Sequence, residues 1–113
     1  MKNVGELPEK ERALLCELRS RIQEEFPNWS FRMTLFGSRA TGDAEPDSDM
    51  DVLVEIDSDC ISFEEKRRIR RLAGKLSMDS GIVLSLLIAD RRVIEERGDF
   101  SIFRNIHEEG LAI

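Results

Sequence analysis

No run of this sequence comes near the ~20 consecutive apolar residues that cross a bilayer, and its opening, Met1-Lys2-Asn3-Val4-Gly5-Glu6, lacks the apolar core of a signal peptide. Cysteine is scarce: Cys16 and Cys60 have no paired metal-ligand spacing and read as ordinary small hydrophobes. A membrane span, a secretory leader and a disulfide scaffold are thereby disfavoured, and the expected compartment is a reducing cytoplasm. Positive charge is also short, with 17 Lys and Arg against 23 Asp and Glu and a net charge of −6. General affinity for nucleic acid rests on neutralising phosphates, so a nucleic-acid partner is not expected. The one dense basic patch is Lys66-Arg67-Arg68-Ile69-Arg70-Arg71, which reads first as a solvated helix face and second as a docking surface. Histidine occurs once, as His107, late on a charged helical stretch where it reads as solvent-facing rather than as a base.

What the chain does carry is concentrated between residues 35 and 54. Leu35-Phe36-Gly37-Ser38-Arg39-Ala40-Thr41-Gly42 is followed by a polar loop and then Ser48-Asp49-Met50-Asp51-Val52-Leu53-Val54. The first half is an apolar run that ends in a Gly-Ser turn able to open a short helix. Backbone N–H groups there suit phosphate oxygens, and Ser38 adds a hydroxyl donor. The second half starts a strand with carboxylates two residues apart. Asp49 and Asp51 then face one side, roughly 6.5 Å apart at Cα, and could share a divalent cation. Asp47-x-Asp49-x-Asp51 also imitates the opening of an EF-hand loop, but Val52 stands where that loop needs Gly and Ser58 where it needs Glu.

The pattern Gly-Ser-x-Ala-x-Gly followed by Ser-Asp-x-Asp resembles the signature of the polymerase-β-type nucleotidyltransferase superfamily. The short chain is most similar to the minimal nucleotidyltransferases paired with HEPN-domain partners in toxin–antitoxin modules. The resemblance implies a small single-domain α/β fold, a mixed β-sheet flanked by helices. It makes Gly37, Ser38 and Arg39 the candidate nucleotide-binding residues, and Asp49 and Asp51 the catalytic carboxylates and Mg2+ or Mn2+ ligands. Arg39 is left between a phosphate contact and a place on the surface of the short helix. The implied reaction moves AMP from Mg-ATP to a hydroxyl acceptor on a partner protein, with this chain as the antitoxin-like member of the pair; a homodimer is the other association expected. At 113 residues the chain is one domain, 1–113, too short to add a separate acceptor-binding domain.

Along the chain, Leu7-Pro8-Glu9-Lys10-Glu11 reads as a helix start, and Leu14, Leu15, Leu18, Ile22 and Phe26 form one apolar stripe that Pro27 ends. Trp29 to Leu35 alternates as a half-buried strand, with Trp29 and Phe31 as core or flank aromatics. Asp43 to Ser48 reads as a loop and Met50 to Ile56 as a second strand, with Thr41 and Ser48 as turn and capping residues. Ser62 with Glu65 three residues on predicts a capped helix whose buried stripe is Ile69, Leu72, Ala73 and Leu76, with Met78 packing at its end. Ile82 to Ile88 is nearly all apolar and is expected to be covered on both faces. Asp90 to Arg97 and Phe100 to Glu109 read as one or two helices, Gly110 as a stop, and Leu111-Ala112-Ile113 as a short edge strand.

The family resemblance also exposes a departure. Active members typically carry a third carboxylate on the later strand, within Val-Asp-Leu, where this chain has Leu84-Ser85-Leu86. Ser85 is no base at neutral pH, and period-two alternation leaves it either in the site or in the core. Losing a general base costs on the order of 10²–10⁴ in rate. A second expectation therefore stands beside the enzyme: a binding module that regulates its HEPN-type partner by contact, its nucleotide site vestigial.

Overall fold

Leu14, Leu15, Leu18 and Ile22 fall three and four residues apart, so a helix aligns them on one face; α1 runs Glu9–Glu25 and buries all four. The structure is a computed structural model that describes residues 7–96 and 101–113. Pro8 is the N-cap of α1, a position where its missing N–H costs nothing, and Phe26 closes the C-terminus by donating its N–H to Ile22 O. Trp29 stacks on Phe26, ring centroids 3.8 Å apart, as a flank of the core.

Strand β1 spans Phe31–Phe36, one to two residues later than the alternation predicts, and Met33, Thr34 and Leu35 are all buried because both faces are covered. The four-residue helix α2, Ser38–Thr41, follows directly, and β2 occupies Met50–Ile56 as expected. Helix α3, Phe63–Ser80, opens with the anticipated capping box: Glu65 N–H donates to the Ser62 hydroxyl and Ser62 N–H to the Glu65 carboxylate. It runs through Asp79 and Ser80 and is capped by Gly81 in the left-handed conformation. Met78 does not pack at its end as predicted; it is 85% exposed, on the side of the helix away from the Ile69, Ala73 and Leu76 stripe.

Strand β3 is Leu84–Ala89, helix α4 Arg91–Glu96, helix α5 Ser101–Glu109 and strand β4 Leu111–Ala112. Arg97 and Phe100, assigned to helix from sequence, lie outside the described residues. The sheet order is β3-β2-β1-β4, with β2 parallel to β3 and both other pairings antiparallel. The fold is thus the small mixed-sheet α/β domain expected.

The sheet has two unequal faces. One packs α1 and α3 over Met33, Leu35, Val52, Val54 and Ile88. On the other, α4 and α5 cover only Leu53, Ala89 and their neighbours with Phe103, Ile106, Val93 and Ile94. As an edge strand under this short second layer, β3 is less covered than its sequence predicts: Ser85 is exposed, and Leu86 and Leu87 are half-buried. Arg70 reaches over the free edge to donate to Leu86 O at 3.2 Å. The remaining basic residues of α3 are solvent-facing or paired, Arg68 with Glu25. Cys16 and Cys60 are free and exposed, so neither packs as a small hydrophobe.

Candidate active site

Register decides which side chains meet. Phe36 pairs with Asp51, and Asp51 pairs with Ser85, so the end of β1, the start of β2 and the start of β3 converge at one end of the sheet. Alternation puts Asp51 on the face of Leu53, and Ser85 on that of Leu87. This is the thinly covered face. Ser85 therefore belongs to the site end and not to the core, which closes the alternative left open by sequence.

Gly37 follows Phe36 with φ 77° and ψ −161°, a backbone conformation that side-chain-bearing residues rarely adopt. A Cβ at this position would also collide with Asp51 Oδ2, so only glycine lets the turn approach the carboxylate. Ala40 and Thr41 N–H donate back to Gly37 O, which leaves the N–H groups of Ser38 and Arg39 ahead of the first intrahelical bonds. Asp49 is exposed just before β2, and Asp51 is partly buried. Burial raises the pKa of Asp51 above the ordinary carboxylate value, the charge of Asp49 raises it further, and a hydrogen bond from Ser85 opposes both.

Arg39 does not project freely. Its guanidinium donates to Ser48 O from Nε at 3.0 Å and from Nη2 at 2.6 Å, to Pro46 O at 3.3 Å, and forms an ion pair with Glu11 on α1. Only 8% of the Arg39 side chain and 10% of the Glu11 side chain are exposed. Arg39 thus pins the loop between α2 and β2 against α1. Sequence reasoning missed Glu11, which reads as an ordinary first-turn acid; nothing local signals a partner 28 positions away. Thr41 donates to Ser38 O and Asp43 Oδ2, and Ser48 accepts from Glu45 N–H, as turn residues do.

A family model for the nucleotidyltransferase domain matches residues 15–110. The chain belongs to this family. Two proteins of Methanocaldococcus jannaschii, each named "Putative protein adenylyltransferase", are similar to it. One is 31% identical over 87% of this chain and 84% of its own length; the other is 34% identical over 55% and 62%. No solved structure matches. In this nucleotidyltransferase, no cluster of three or more ligating side chains stands among the described residues. The donor set is two carboxylates beside a hydroxyl. That set suits magnesium, which typically takes one or two carboxylates and completes its shell with phosphate oxygens and water.

Two other residues are placed against expectation or beyond it. Asp90 is fully buried, and its carboxylate accepts from Ile61 N–H and Val93 N–H, both at 2.9 Å. Burial alone would raise its pKa, but the two hydrogen bonds, aided by Lys66 and Arg92, outweigh it and hold the pKa below the ordinary value. Asp90 is a brace between β3, α3 and α4 and no substitute for a third site carboxylate. His107 is exposed on α5, with Nε2 2.7 Å from Glu55 Oε1 on β2, so it also helps seat α5 on the sheet.

Proposed function

We propose that this nucleotidyltransferase binds the magnesium or manganese complex of ATP and transfers AMP to a hydroxyl group of a partner protein. The observation that carries the proposal is the Gly37-Ser38 turn held directly against Asp51, with Asp49 beside it, on the open face of the sheet. The donor is taken as ATP, and the acceptor as a protein, from the names of the two relatives. A HEPN-type partner comes from the sequence resemblance.

In this reading the N–H groups of Ser38 and Arg39 and the Ser38 hydroxyl hold the triphosphate, and Arg39 acts by fixing the loop that carries Ser48 and Asp49. Asp49 and Asp51 hold the metal. When bound, the metal offsets charge on the triphosphate and on the leaving pyrophosphate. The acceptor oxygen forms a bond to the α-phosphorus while its proton passes to solvent, since Ser85 offers no base; the bond from that phosphorus to the bridging oxygen breaks, and pyrophosphate leaves with the electron pair.

Ser85 supports a second reading, a binding module that neutralises its partner by contact, because it stands where the family resemblance places a third carboxylate. The two separate on one experiment: incubation with ATP labelled on the α-phosphate, magnesium and a HEPN-domain protein offered as the partner. Label on the partner that disappears in Asp51→Asn supports transfer. A tight complex with unlabelled partner, unaffected by Asp51→Asn, would replace transfer with the binding module.

A further inference from the structure

Beside the turn, on the same face as Asp51, lies a cavity of about 380 Å³ bordered by Phe36, Gly37, Thr41, Ile102, Asn105 and Glu109. We infer that this groove between the Gly37 turn and α5 is the adenosine subsite of the same site; the inference rests on the ATP reading and extends it from the Gly37-Ser38 turn and the carboxylates to α5. Three observations point the same way. Gly37 is shared, bordering Asp51 on one side and the groove on the other, so a triphosphate held on the turn leads its nucleoside into the groove. The walls are apolar where a base would lie: Phe36 is half-buried and Ile102 is 54% exposed, one of few large apolar side chains left to solvent. Two polar side chains converge on it, and neither Asn105 nor Glu109 has a hydrogen-bond or ion-pair partner among the described residues.

Their chemistry fits adenosine. An Asn amide offers a donor and an acceptor side by side, which matches the N6–H and N7 edge of adenine. A carboxylate accepts from ribose hydroxyls. A larger cavity, about 520 Å³ between the start of α1 and the loop after α2, is a poorer candidate because Arg39, Glu11, Ile82 and Leu111 place it on the α1 side of the sheet, away from the carboxylates.

Calorimetric titration with Mg-ATP and with magnesium tripolyphosphate tests the assignment, using wild type, Asn105→Ala and Ile102→Asp. The expected result is that wild type binds ATP at least about tenfold more tightly than tripolyphosphate, and that each variant loses about tenfold toward ATP while keeping its tripolyphosphate affinity. Unchanged melting temperatures check that these surface variants fold. Equal wild-type affinity for the two ligands overturns the subsite and leaves the phosphate turn standing. Variants that bind ATP normally but need more acceptor protein assign the groove to the acceptor and likewise overturn it. Binding of neither ligand by folded wild type overturns the ATP reading itself.

Discussion

Asp51 meets three constraints in one place: it faces the open side of the sheet, fills the space a side chain at position 37 would need, and feels the charge of Asp49, with Ser85 opposing the rise in its pKa. Such a crowded carboxylate is a liability in a bare fold. Because its pKa is raised, the charged form at neutral pH works against folding, and removing the charge relieves the strain. Asp51→Asn is therefore expected to abolish transfer while the melting temperature holds or rises by a few degrees; a melt and a labelled-AMP assay check both. A melting temperature several degrees lower would contradict the electrostatic account. Gly37→Ala should lose nucleotide binding and stability together, since Ala at φ 77° is strained and its methyl meets Asp51. Circular dichroism melts and titration with Mg-ATP measure this. At position 85, exposure makes Ser85→Asp foldable, but its carboxylate adds to the charge beside Asp51; magnesium is therefore expected to raise its melting temperature more than that of wild type, with faster transfer below pH 8. Neither effect would appear if position 85 stood outside the metal site.

At the scale of elements, two braces hold the site in shape, and their residues are scattered in sequence. Arg39 ties α2, the following loop and α1 through Glu11. Arg39→Met leaves Glu11 buried without its partner, which costs roughly 3 kcal/mol and frees the loop that carries Asp49; urea unfolding and the KM for ATP should both register it. Asp90 ties the start of α3 and of α4 to the end of β3. Its pKa lies below 3.8, so its stabilisation is complete above that pH and is lost as pH falls through the lowered value. Asp90→Asn should therefore cost about 1–3 kcal/mol at pH 7 and progressively less below pH 3.8, read from urea midpoints across that range. Neither brace was legible beforehand. Caps and stripes are written in neighbouring residues, which is why the Ser62–Glu65 box and the Leu14 to Ile22 face could be read. The Arg39–Glu11 pair needs the tertiary fold before its partners meet.

For the whole molecule, the α/β sandwich was readable because strand periodicity and turn chemistry are local, whereas the mixed sheet and the meeting of the Gly37 turn with Asp49 and Asp51 were implied by the family resemblance. Strand order was not, and it is the strand order that fixes the fate of Ser85. Apolar residues from 82 to 88 suggest a strand covered on both faces, yet β3 lies at an edge beneath two short helices, and its Ser85 faces the site. Met78 fails for a different reason: it is apolar, but helical spacing sets it on the side of α3 opposite the Ile69, Ala73 and Leu76 stripe, where it meets solvent. The pocket beside α5 was likewise not legible as a pocket, since its residues join only when α5 folds back across β1 and β2. The open face that results, with carboxylates at one end and a groove alongside, is the face on which the proposed nucleotide site rests. Titration of the folded wild-type chain with ATP, with and without magnesium, tests that claim most directly. The predicted result is saturable binding that requires the metal and is lost in Asp49→Asn and Gly37→Ala; binding that is indifferent to magnesium and intact in both variants would contradict it.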